Sequence, residues 1–209
     1  MCIICVSKVG ERQPTKKEFA EMFRRNPHGS GYMFARDGKV EIHKGFMSFA
    51  EFYRNVSSEG FGVDDAVVYH FRIATQGGVN PYMTHPFALT HDLDTTMALD
   101  ITCPLGIAHN GIIKLTSDGD KVYSDTAKFI TEYMTRIVRK NSDIRDKKTL
   151  EIIELLAQGR WALLDKSGYI ATIGDWKEDN GLLFSNDSYK PYTQYYVNHK
   201  GQVKPFSLR

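Results

Sequence analysis

Two helical patterns follow one another in the second half of this chain, at residues 124–139 and 150–157, with no strand pattern between them. In the first, Phe129, Ile130, Tyr133, Met134 and Ile137 recur at steps of three and four, the repeat of one helix face. Strand patterns fill most of the chain on either side. A doubly wound fold needs strands and helices to alternate, because each parallel strand is reached through a crossover helix. Consecutive helices between blocks of strands fit antiparallel sheets with helices packed on them. The expected class is therefore α+β, a layered fold. At 209 residues, with no linker, repeat or low-complexity stretch, the chain is expected to form a single domain over 1–209.

The local signals agree. Residues 3–9 read as a buried strand. Thr15 can cap a helix over 15–25, with Glu18 three places on and Phe19, Met22 and Phe23 on one face. Asn26-Pro27-His28-Gly29-Ser30-Gly31 is a tight turn, and Asp37-Gly38 joins strands 32–36 and 39–44. Ser48 and Glu51 begin a helix over 48–56. Further strands are expected at 66–74, 105–109, 161–165, 169–173, 182–185 and 194–198, with a loop at 76–81.

Composition limits the functional classes. Lys and Arg number 27 against 25 Asp and Glu, an excess too small to imply nucleic acid or an anionic membrane. The basic run from Arg136 to Lys148 reads as a solvated helix end and loop, or as a dock for an acidic partner or nucleic acid. No apolar run reaches the roughly 18 residues of a membrane helix. The N-terminus has no basic region before its apolar residues, as a signal peptide would. Three cysteines are too few for a disulfide scaffold, so a reducing cytoplasm is expected.

Four places could carry chemistry. Cys2 follows the initiator, and removal of Met1 would give one residue both a thiol and a free α-amine. An amine of pKa about 7.7–8 is a base near neutrality, and a thiolate is a strong nucleophile. Equally, Cys2 could be a small residue at a strand edge. Arg72, in His70-Phe71-Arg72-Ile73-Ala74-Thr75-Gln76-Gly77, offers a planar fork for a carboxylate, or lies solvated on a surface strand. Asn110-Gly111 is a hairpin turn, or a pair of N–H donors for an oxyanion. Ser124 and Asp125 cap a helix, and Asp125 could also receive an ammonium. Thr84-His85-Pro86-Phe87 is a packed turn at a loop exit.

Taken together and in order, these elements resemble the class II glutamine amidotransferase domain of the N-terminal nucleophile (Ntn) hydrolases. The resemblance rests on Cys2, the turn 26–31, the segment from His70 to Gly77, His85-Pro86-Phe87, Ala108-His109-Asn110-Gly111 and Ser124-Asp125-Thr126. Residues 160–164 and 181–185 are similar to the family's closing strands. The resemblance implies a four-layer αββα sandwich with two stacked antiparallel sheets. It implies L-glutamine as substrate and a γ-glutamyl thioester on Cys2. Asn110 and Gly111 would form the oxyanion hole, and Arg72 would bind the α-carboxylate. Thr75, Gln76 and His85 would line the substrate, and Asp125 would take the α-ammonium. No cofactor and no metal are implied, although His70, His85 and His109 are present. Ammonia would pass to a separate synthase or transferase subunit. Hydrolysis of another amide, or binding without turnover, are the alternative readings. The chain departs from the family at Ile3, where glycine is usual, at His28, where aspartate is common, and at Gln76, where histidine or serine is common.

Overall fold

The computed structural model describes residues 1–74, 78–117, 119–120, 122–190, 195–197 and 200–205. One sheet contains β1 (Ile3–Ser7), β2 (Ser30–Arg36), β3 (Lys39–Phe46), β4 (Val67–Phe71), β6 (Asp100–Cys103), β10 (Lys177–Asp179) and β11 (Leu182–Phe184), in the order β10-β11-β1-β4-β2-β3-β6. The other contains β5 (Phe87–Ala88), β7 (Leu105–Asn110), β8 (Arg160–Asp165) and β9 (Ile170–Ile173), in that order. Every pairing is antiparallel. A separate hairpin pairs β12 (Tyr195–Val197) with β13 (Val203–Pro205). The helices are α1 (Lys16–Arg25), α2 (Phe49–Ser58), α3 (Leu93–Thr96), α4 (Asp125–Phe129), α5 (Thr135–Ile137) and α6 (Lys147–Leu156).

Three apolar clusters define four layers. Ile4, Val6, Met33, Ile42 and Val68 of the first sheet meet Ala88, Ala108, Ala162 and Leu164 of the second. Strand alternation turns the neighbouring residues outward. Ile3, Cys5, Tyr32, Phe34 and Tyr69 pack on Phe19, Met22 and Phe23 of α1 and Phe52 and Val56 of α2. Ile107, Trp161, Leu163 and Ile173 pack on Phe129, Met134 and Ile153 of the α4–α6 layer. This is the αββα sandwich. Full burial of each such large aliphatic or aromatic side chain contributes about 1.5–3 kcal/mol. No helix among the described residues is long and apolar enough to cross a membrane.

Local chemistry explains the strongest signals. Thr15 and Glu18 close a reciprocal capping box on α1, and Arg12 grips Glu18 through two N–H bonds of 2.8 and 2.7 Å. Asp37 and Gly38 both have positive φ, 51° and 73°, as the two-residue turn between β2 and β3 requires.

Several expectations change. Strands end sooner than the apolar runs, β1 at Ser7 and β4 at Phe71. The helix expected over 124–139 is interrupted by a π-helical turn, Ile130–Met134, between α4 and α5. Asn110 is the last residue of β7, paired with Arg160, so Asn110-Gly111 is not a two-residue hairpin turn.

Candidate active site

The turn at 26–31 and the end of β4 are tied together. Arg72 N–H donates to the Gly29 carbonyl at 2.8 Å, and His28 N–H donates to the Arg72 carbonyl at 3.0 Å. Ala74 N–H donates to His28 Nδ1 at 2.9 Å. Gly29 has φ 108°, and a Cβ there would lie 2.5 Å from the Thr84 side chain. Glycine is therefore required by both conformation and space. His28, an apparent departure in the sequence, thus fixes the course of the chain just beyond Arg72.

That segment holds Cys2. Ile3 pairs with Phe71, so the start of β1 runs beside Arg72 and Ile73. Ile73 N–H donates to Cys2 Sγ at 3.4 Å. The Cys2 carbonyl accepts from Asn110 Nδ2 and Asn186 Nδ2, both at 2.6 Å. Asn110 Nδ2 also donates to Ser185 Oγ at 2.9 Å, and Ser185 Oγ accepts Ile4 N–H at 2.9 Å. Two strands of one sheet and one of the other thus converge on Cys2. Both amide protons of Asn110 are engaged here, so Asn110 orients Cys2; meeting an oxyanion requires it to release one of them. Asn186 and Ser185 were not singled out as site residues from sequence. Their roles come from packing β11 against β1, which brings Ser185 to Ile4, 181 positions away.

One pocket gathers Cys2, Arg72, His85, Gly111 and Asp125, together with His109, Thr116 and Tyr123. It is narrow, about 60 Å³, so an amino-acid ligand needs its rim to give way. Arg72 is buried and donates to the Gly78 carbonyl at 3.0 Å. Burial lowers its pKa, while Cys2 and Asp125 act in the opposite direction. Asp125 opens α4, where its carboxylate accepts Ile113 N–H at 2.7 Å and Thr126 N–H at 2.8 Å. Ser124 supplies the cap, its Oγ accepting Ala127 N–H at 3.1 Å. A Cβ on Gly111 would lie 2.6 Å from His109 Nε2 and 2.9 Å from the Gln158 carbonyl, which explains glycine there. Thr75 and Gln76 lie outside the described residues.

The three thiols differ. Burial pushes the Cys2 pKa up, opposed by the Ile73 hydrogen bond, by Arg72 and by the terminal ammonium. Cys5 is fully buried and raised much further, and burial pushes Cys103 up to about 12. Cys2 alone of the three lines the pocket. Three buried histidines are held neutral: burial lowers His70 and His109 to about 3 each, and holds His85 well below its ordinary value. His70 and His85 lie 4.4 Å apart between ring centroids. No group of three His, Cys, Asp or Glu among the described residues could hold a metal ion.

No family model matches the chain, and no curated protein does. Among solved structures, it is similar to glutamine phosphoribosylpyrophosphate (PRPP) amidotransferase from B. subtilis complexed with ADP and GMP, at 16% identity and a TM-score of 0.48. That likeness covers 100% of this chain and 50% of the other, so the chain spans about half the length of that structure.

Proposed function

We propose that the chain freed of Met1 is a glutamine amidotransferase subunit that hydrolyses the glutamine side-chain amide. The observation carrying this reading is the convergence of a half-buried thiol, a buried guanidinium and a carboxylate in one pocket, drawn from three distant segments. Arg72 pairs with the substrate α-carboxylate and Asp125 with its α-ammonium. This two-point clamp sets the distance from the α-carbon to the amide that reaches Sγ. His85 lines the remaining wall.

The Cys2 α-amine takes the thiol proton as Sγ bonds to the amide carbon. The oxyanion receives the Gly111 N–H and one proton of the Asn110 amide, released from its present partner. Collapse breaks the carbon–nitrogen bond, and the α-ammonium returns a proton so that ammonia leaves. Water, deprotonated by the same amine, adds to the thioester and releases glutamate, restoring the thiol. With Met1 attached this nitrogen is an amide and cannot act as the base. Ammonia passes to a separate acceptor enzyme in the cytoplasm.

Met1-free protein is expected to release ammonia from glutamine at least ~10²-fold faster than from asparagine, whose amide is one methylene closer to the clamp. Cys2→Ser is expected to lose at least ~10²-fold of that rate. Equal rates on the two amides would contradict the clamp.

A further inference from the structure

The end of β7 away from Cys2 opens on a second groove, of about 530 Å³. Sites for small molecules run from roughly 300 to 1,000 Å³. One wall is the start of β7 with the segment after β5, and the other is the end of α5 with the residues beyond it. Asn141 Nδ2 donates to the Pro104 carbonyl at 3.2 Å and ties the two walls together. Buried Leu105 and Val138, with half-buried Leu89, give the groove an aliphatic floor. Arg136, Arg139 and Lys140 line it as well, and all three are exposed. Among the described residues no Asp or Glu lines the groove, and no Phe, Tyr or Trp. In a chain with 27 basic and 25 acidic residues, this is a local excess of positive charge.

The three cations are fixed at the backbone and unspent at their heads. Val138 turns the chain out of α5, with φ −100° and ψ 96°. The Asp143 carboxylate accepts Arg139 N–H at 2.9 Å and Lys140 N–H at 3.1 Å, so it holds the main chain there. None of the three side chains makes an ion pair among the described residues. Arg136 donates to the Glu132 carbonyl, and Arg139 Nε to the Arg136 carbonyl at 3.4 Å. A guanidinium carries five N–H groups, so most of each fork is left for a ligand.

We propose that this groove binds a small organic phosphate, its dianionic head among Arg136, Arg139 and Lys140 and its aliphatic body on Leu89, Leu105 and Val138. Guanidinium forks match phosphate oxygens, and three terminal oxygens can serve three cations where the two of a carboxylate cannot. The floor favours an aliphatic body, because no aromatic ring is present for a flat one to stack on. Leu105 and Asn110 stand at opposite ends of β7, about 17 Å apart along the strand. The groove is therefore separate from the Cys2 pocket and does not depend on the reaction proposed there.

Calorimetric titration with monobutyl phosphate at about pH 8, where a phosphate monoester is dianionic, tests this. Inorganic phosphate and 1-butanol separate the head from the body. Monobutyl phosphate is expected to bind saturably, with a Kd at least ~10-fold below that of inorganic phosphate, and 1-butanol to give no binding heat at the same concentrations. Arg136→Glu and Arg139→Glu are each expected to weaken binding at least ~10-fold. Both residues are exposed, so an unchanged circular dichroism spectrum and melting temperature will show that the fold is intact. The comparison of ligands on the unsubstituted chain decides the matter even where a variant fails to fold. Equal affinity for the two phosphates, no saturable binding of either, or binding indifferent to the folded charge reversals would overturn the proposal. So would binding of an acidic peptide or an oligonucleotide with none of monobutyl phosphate.

Discussion

Arg72 illustrates how one side chain can be specified by its backbone. The Gly29 carbonyl and His28 N–H hold its peptide groups, and burial surrounds its guanidinium. Lys at this position keeps the charge but loses the planar fork. Arg72→Lys is therefore expected to raise the KM for glutamine about tenfold or more, with a smaller effect on kcat; an unchanged KM in steady-state assays would remove Arg72 from the substrate. The buried histidines make a separate prediction about pH. His70 and His109 titrate near 3 in the folded chain, against an ordinary 6.5. Between those values the unfolded chain binds protons that the folded chain refuses. Stability is thus retained above about pH 6.5 and lost as pH falls toward 3, by ~1.4 kcal/mol per pH unit for each group. Urea midpoints between neutral pH and about pH 5 should fall accordingly, and His70→Gln should make the slope shallower. A slope unaffected by that substitution would contradict the assignment.

At the scale of elements, local devices were the legible part. The Thr15–Glu18 box and the Asp37-Gly38 turn can be read from sequence because their partners are within three residues. Thr15→Ala is expected to lower stability by about 1 kcal/mol, measured by thermal melting, with glutamine turnover unchanged. The short strands were less legible. β5 has two residues, and β6, Asp-Ile-Thr-Cys, is largely solvent-accessible at a sheet edge, so neither carries an alternating pattern. The π-helical turn was hidden because Phe129, Ile130 and Met134 keep helical spacing through it. Of the candidate site, Cys2, Arg72, Gly111 and Asp125 were visible as residue types in motifs. The Asn110 and Asn186 bonds to the Cys2 carbonyl were not, because they depend on which strands become neighbours.

Across the whole molecule, the stacking of the two sheets creates the site. Cys2 leads into β1 of one sheet, while Asn110 ends β7 of the other and Asp125 begins the helix layer beyond it. The apolar layer between the sheets sets their spacing, and the 2.6 Å bond from Asn110 to the Cys2 carbonyl crosses between them. In the proposed reaction, a nucleophile at the leading end of a central strand is useful only if Met1 is removed, because the same residue must then supply the base. Intact mass and peptide mapping of Met1-free protein, before and after treatment with the glutamine analogue 6-diazo-5-oxo-norleucine, test this directly. The expected result is a single adduct on Cys2, blocked by excess glutamine. An adduct on Cys5 or Cys103, or none on protein shown to begin at Cys2, would contradict it.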